Sequence, residues 1–311
     1  MVTVAVATFC SADFVLETLE SIYHQTYQDI SLIISDDCST DDTVAVVNKW
    51  VALERVKNRF DSIQVLTVPK NTGVSANCNR CIAASTSDWI KFIAADDILL
   101  PNCIADNITF VTDNPNANVV FSQVKMYQDT FEEKNYLETT PLDYPNNLMH
   151  ESLSAKGQYQ LLLVSDRIHY TPSLFLNKQA ILKVGGYDES CRLVEDYPMW
   201  LKLTGSGERL HYFHKITVGY RIHSKAANNV GEKALFKPSA INGYLVRKKY
   251  AHPYLPKLLV LQENWAYHVT VCFKKIGIIK KTKLNFMLYK FMIFYANLFE
   301  TNCHVISPIF L

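Results

Sequence analysis

The chain reads as an α/β protein with a mainly parallel sheet flanked by helices and a helical extension at its C-terminal end. Short runs rich in Val, Ile and Leu alternate with segments whose apolar residues recur at helical spacing. Two acidic pairs, Asp36-Asp37 and Asp96-Asp97, each follow such a run, and a third, Glu195-Asp196, comes about a hundred residues later. A content of 49% hydrophobic and 20% charged residues over 311 positions suits one large folded domain plus an appendage. In a parallel sheet, ligands bind beyond the carboxyl ends of the strands, so acids at two such ends converge on one mouth. A divalent cation such as Mg²⁺ or Mn²⁺ would neutralise that mouth and usually shares itself with substrate phosphates. The simplest substrate is then a nucleotide diphosphate.

Each element follows from the pattern. Thr3 to Thr8 is a buried strand, and Val15, Leu19, Ile22 and Tyr23 mark a helix with Ser11 as its expected cap. Ile30 to Ser35 is the second strand. Ser39 is expected to cap the next helix, with Asp41 and Asp42 in its first turn and Val44, Val47 and Val51 on its inner face. Ile63 to Val68, Trp89 to Ile93 and Val119 to Phe121 are the third, fourth and fifth strands, separated by helices over Ser75 to Ala84 and Asn102 to Thr112. From Tyr127 to Ser154 the periodicity fades and turn residues accumulate, which predicts a long excursion over the sheet mouth. Regular signals return at Leu161 to Val164, at Ser173 to Leu176 and after Glu195, and the residues beyond about 225 read as an added helical region. The expected organisation is a domain over 1–225 and a helical region over 226–311.

Charge and cysteines narrow the function classes. With 31 basic and 30 acidic residues the formal charge is +1, so no global field recruits nucleic acid. Eight scattered cysteines and a start, MVTVAVATF, without the layout of a secretion signal point to a reduced, cytoplasmic protein. Cys78 and Cys81 form a lone C-x-x-C without the second pair or histidines that a structural zinc needs.

Six segments then carry a specific resemblance. VTVAVATF, LIISDDCSTDDT, NTGVSANCN, FIAADDILLP, VGGYDE and VEDYPMWLKL occur in the order found in family 2 glycosyltransferases of the GT-A fold, of bacterial surface-polysaccharide type, and cover roughly residues 2–225. The resemblance implies that Thr8, Asp36 and Asp37 border a base or ribose, with Asp37 the main acceptor, although the same acids would also serve a turn around Ser39. It implies that Asn71, Gly73 and Asn79 line the nucleotide. Cys78 stands where the family has an arginine, which shifts that work toward Arg80. FIAADDILLP resembles the family's metal-binding D-x-D-D segment with its first acid replaced by Ala94. Asp96 is the favoured cation ligand and Asp97 a second ligand or a ribose contact. Glu195-Asp196 resembles the segment that supplies the base, so Asp196 is assigned that role and Glu195 orients the acceptor or the helix. Tyr220-Arg221-Ile222-His223 resembles a Y-R-x-H segment whose histidine can complete the metal shell. Tyr187, in the Gly185-Gly186 turn, either stacks on a sugar or packs in the core.

Between Glu263 and Glu300 no acid occurs, while Lys274, Lys275, Lys280, Lys281, Lys283 and Lys290 intersperse with large apolar side chains. Such composition suits an anionic membrane surface, and equally a pair of helices packed on the domain with lysines in water. The most apolar stretch, Leu284 to Phe299, is shorter than the ~20 residues of a spanning helix. The resemblance therefore implies an inverting, metal-dependent transferase, cytoplasmic or peripheral on the inner face of the membrane. It moves a hexose or N-acetylhexosamine from a UDP-sugar to a lipid-diphosphate-linked saccharide in O-antigen-like assembly. A nucleotide-sugar-binding module without turnover is the rival, because of Ala94 and Cys78. A dinucleotide oxidoreductase lacks its G-x-G-x-x-G in the first β-α turn.

Overall fold

In the computed structural model, residues 1–226, 234–237 and 239–297 are described. The chain divides into two compact units, one of residues 1–159 and 168–221, the other of 160–167 and 222–311.

The first unit is built on a nine-stranded sheet. In chain order its elements are β1 (Val2–Thr8), α1 (Val15–Tyr23), β2 (Ile30–Asp36), α2 (Thr43–Val51), α3 (Glu54–Lys57), β3 (Ser62–Thr67), α4 (Val74–Ala84), β4 (Trp89–Ala94) and β5 (Ile98–Leu99). There follow α5 (Cys103–Asp113), β6 (Val119–Gln128), β7 (Tyr136–Thr140), α6 (Ala155–Val164, which the division assigns to the second unit from residue 160), β8 (Phe175–Asn177), α7 (Lys178–Lys183), α8 (Asp196–Gly205) and β9 (Leu210–Ile222). The strand order is β3-β2-β1-β4-β8-β6-β9-β5, with β7 paired to β6. The first four strands are parallel, and the pairs made by β8 with β4 and β6, by β7 with β6 and by β9 with β5 are antiparallel. β2 is buried along its whole length, as expected for an inner parallel strand covered on both faces.

This order positions the site. From β1 the chain steps outward to β2 and β3, then returns to place β4 on the other flank of β1. That reversal opens a crevice at the carboxyl ends of β1 and β4. Thr8 pairs with Asp36, and Ala7 with Ala94, so both acidic pairs emerge on one rim.

Several expected details differ. The segment expected to be an excursion from Tyr127 begins inside β6 and contains β7, because a ten-residue strand with alternate half-buried positions breaks the apolar run expected to end at Phe121. β5 is missed because two residues carry no period. Ser11 does not cap α1: its backbone carbonyl accepts from the N–H groups of Phe14 and Val15, and its hydroxyl turns back to the Phe9 carbonyl. Ser39 does not cap α2, since Asp36 takes its hydroxyl; Asp41 accepts from the Thr43 N–H instead. The buried face of α2 is Thr43, Val47 and Trp50, with Val44 and Val51 half-buried, because Trp50 lies on the Val47 face one turn on.

The second unit contains α9 (Ala240–Tyr250), α10 (Lys257–Lys275) and α11 (Lys283–Asn297). Its core joins Leu235, Phe236, Tyr244, Val269, Phe273 and Tyr289. Arg247, buried, donates to both oxygens of Glu263, at 2.8 and 2.5 Å, and His252 Nε2 lies 2.8 Å from the same carboxylate. Phe299 and Cys303 fall outside the described residues, as does the side chain of Phe294.

Candidate functional site

At the β1–β2 rim, Asp36 accepts from the Thr8 hydroxyl at 2.8 Å, from the Ser39 hydroxyl at 2.5 Å and from the Ser39 N–H at 2.8 Å. It ties the end of β1 to the loop after β2. Asp37 accepts from the Thr72 hydroxyl (2.5 Å), the Thr72 and Gly73 N–H groups (3.0 and 2.7 Å) and Arg80 Nη2 (2.8 Å). Burial alone would raise its proton affinity, but hydrogen bonds from Thr72, Arg80 and Gly73 outweigh that and hold the carboxyl below its ordinary range. A carboxylate has about four lone-pair sites, and here protein donors use them. In this structure Asp36 fixes the loop after β2, and Asp37 fixes the turn at residues 71–73.

That turn leads into α4. Gly73 has φ +93°, a left-handed conformation that favours glycine, immediately before α4. Asn71 Nδ2 donates to the Asp37 carbonyl at 3.2 Å, and Arg192 Nη2 donates to the Asn71 side-chain and backbone oxygens at 2.9 and 3.0 Å. Arg192, an exposed guanidinium beside the 71–73 turn, escapes a reading by pattern because a single surface arginine has no period. Asn79 reaches the other way. Its Nδ2 donates to the Tyr187 carbonyl and to Glu189, and its Oδ1 accepts from the Tyr187 N–H at 2.8 Å. A Cβ on Gly186 would stand 2.7 Å from Asn79 Oδ1, so Gly186 admits this clamp. Tyr187 is buried and packs edge-on to Phe92, the core alternative of its two expected fates. Arg80 binds Asp37, Thr72, Ser35 and Asn77. Cys78 is buried, and desolvation, with Cys81, Glu195 and Asp196 nearby, pushes its thiol well up.

Beyond β4 the two acids differ in setting. Asp96 is half-buried, while Asp97 is 1% exposed and accepts from the Arg221 N–H at 2.9 Å. Asp97 Oδ2 is buried with no hydrogen-bond partner. Desolvation, then the neighbouring Asp96 charge, raises the Asp97 carboxyl well above the usual range. Arg221 fixes this turn: its Nε donates to the Asp96 carbonyl, its Nη1 to the Asp129 carbonyl, its Nη2 to Glu17, and it lies over Phe131 and Phe14. An orphaned carboxylate oxygen beside a half-exposed second carboxylate fits a hard cation that takes its remaining ligands from a diphosphate. Among the described residues no three His, Cys, Asp or Glu side chains form a preassembled metal cluster. His223 is buried and belongs to the second unit.

Below them, Lys91 of β4 is fully buried, with Nζ donating to the carbonyls of Pro172 at 2.5 Å and Leu174 at 3.2 Å. Burial lowers its pKa to about 8 against the pull of Cys103 and Asp97.

Glu195 and Asp196 open α8, whose buried face of Tyr197, Met199, Trp200, Leu201 and Leu203 anchors it to the core. The Glu195 carboxyl is raised by desolvation. Tyr220, the residue before Arg221, is half-buried on β9. Its phenol is pushed up to about 12, by desolvation first and then by the negative charges of Asp97, Asp96 and Asp196 together.

The family model "Glycosyl transferase family 2" matches residues 3–185. An uncharacterized glycosyltransferase of Haemophilus influenzae is 27% identical over 205 residues, 65% of this chain and 62% of that protein, so this chain spans less than two thirds of its length. The Escherichia coli UDP-Glc:alpha-D-GlcNAc-diphosphoundecaprenol beta-1,3-glucosyltransferase WfaP is 23% identical, over 78% of this chain and 85% of that protein. Among solved structures, S. aureus TarS 1–349 in complex with UDP-GlcNAc superposes with a TM-score of 0.58 at 16% identity, over 95% of this chain and 81% of that one. The likeness to TarS establishes the GT-A-like fold.

Proposed function

The chain belongs to glycosyl transferase family 2, and on that premise we propose an inverting, metal-assisted transfer of a hexose or N-acetylhexosamine from a UDP-sugar to a hydroxyl of a lipid-diphosphate-linked glycan, in O-antigen-like surface-polysaccharide assembly. The observation that supports the reading best is the emergence of both acidic pairs, 36–37 and 96–97, on one rim of the sheet, with Asp97 Oδ2 buried and without a hydrogen-bond partner.

In this mechanism the nucleotide lies along the wall made by Thr8, Asp36, Asp37 and the 71–73 turn, with Arg80 and Arg192 as nearby cations. Asp96 and Asp97 would hold Mn²⁺ or Mg²⁺, which would supply neutralisation of charge on the departing diphosphate. Asp196 accepts the proton of the attacking hydroxyl as its oxygen bonds to the anomeric carbon and the carbon–phosphate oxygen bond breaks to release UDP. Attack from the face opposite the leaving group inverts the anomeric centre. Glu195, raised by desolvation, orients the acceptor as a hydrogen-bond donor when protonated. The UDP-Glc donor and diphosphoundecaprenol-linked acceptor of the E. coli relative and the UDP-GlcNAc of the TarS complex support the donor and acceptor classes. Attachment to the inner face of the membrane follows from such an acceptor.

A panel of UDP-Glc, UDP-Gal and UDP-GlcNAc with a short-chain GlcNAc-diphospholipid, read by mass and anomeric NMR, tests this. A new β-linkage from an α-linked donor is expected; a product retaining the donor's configuration, or no transfer from any UDP-sugar, overturns the reading.

A further inference from the structure

Within the second unit, α11 is apolar on two faces. Phe286, Tyr289, Met292 and Ile293 turn into the core, where Tyr289 packs edge-on to Phe236 and Phe273 and its hydroxyl lies 3.0 Å from that of Thr270. The other face carries Leu284, Met287, Leu288 and Phe291, which are 75%, 68%, 41% and 61% exposed. Their spacing of three, four and seven residues makes one continuous stripe along the helix. A helix at a water-facing surface normally places polar residues there. Ile276 and Ile279, in the preceding turn, are also exposed, and Trp265 of α10, half exposed, donates its indole N–H to the Met292 carbonyl beside the end of the stripe.

The charges around it have one sign. Lys275, Lys280, Lys281, Lys283 and Lys290 are exposed, and no acid lies between Glu263 and Glu300. A contiguous apolar patch marks an interaction surface, and a cationic rim selects an anionic occupant. Among the described residues no helix is long and apolar enough to cross a membrane, so such a helix lies along an interface.

We propose that the outward stripe of α11, Leu284, Met287, Leu288 and Phe291 with the lysines of residues 275–290, docks on a bilayer surface carrying anionic phospholipids. The apolar side chains enter the boundary between headgroups and acyl chains, and the ammonium groups remain among lipid phosphates. This surface deepens the lipid-linked acceptor reading, but the vesicle binding that tests it needs no turnover.

The full chain is floated with vesicles of phosphatidylcholine alone or mixed with phosphatidylglycerol, at low and high salt. Binding to the mixed vesicles is expected, falling with salt, with negligible binding to phosphatidylcholine. Replacing Leu284, Met287, Leu288 and Phe291 together by Ser should abolish flotation. Lys280→Gln and Lys281→Gln should each weaken it roughly fivefold. All variants should keep the wild-type melting temperature and unchanged transfer to a soluble acceptor, which separates failure of docking from failure of the proposed activity. Wild-type protein that stays with the soluble fraction on anionic vesicles overturns the proposal. So does equal flotation of the stripe variant, or a wild-type dimer that the stripe variant dissolves without any vesicle binding.

Discussion

Among single residues, Asp196 and Asp96 make separable demands. Asp196→Asn keeps shape and removes the proton acceptor, so transfer should fall by about 10²–10⁴ with UDP affinity unchanged in a titration. Unchanged turnover would exclude Asp196 as the base. Lys91 gives a signature independent of activity. Its pKa falls from 10.5 when unfolded to about 8 when folded, so between these values the unfolded chain binds more protons and stability rises with pH. The difference in unfolding free energy between wild type and Lys91→Met should therefore climb by about 3 kcal/mol between about pH 8 and 10.5. A flat difference in urea titrations would show that burial does not depress this amine. The acids and their order were legible in the sequence because motif strings preserve them. Lys91 and Arg192 were not singled out there: each gains its meaning from neighbours tens of residues or more away, which no local pattern encodes.

At the level of elements, the turn after β2 and the turn before α4 are one device, joined through Asp37. Asp37→Ala strands the Thr72 and Gly73 N–H groups and the Arg80 guanidinium, which should cost about 3 kcal/mol of stability. The same change should weaken UDP binding by loosening the 71–73 wall. Unfolding at wild-type denaturant concentration would show that the turn holds without its carboxylate. The parallel strands and their helices could be read from sequence because inner strands are continuously apolar and helices keep a 3.6-residue period. β5 and β7 could not, being short and half-exposed. Both serine caps misled for one reason, since a hydroxyl near a helix start also serves a nearer partner: the Phe9 carbonyl for Ser11 and Asp36 for Ser39.

For the molecule as a whole, the sheet reversal beside β1 gathers distant acids, while the second unit offers a cationic apolar surface of its own. A chelator should abolish transfer and added Mn²⁺ or Mg²⁺ should restore it; full activity in EDTA would remove the cation from the reading. The division of labour between the acids is tested most directly by Mn²⁺-dependent UDP affinity, measured by calorimetry in Asp96→Asn and Asp196→Asn alongside sugar transfer. Both variants should lose transfer, with the Mn²⁺-dependent gain in UDP affinity lost in Asp96→Asn and intact in Asp196→Asn. Equal weakening of UDP by the two substitutions, or transfer at the wild-type rate by either, would contradict it.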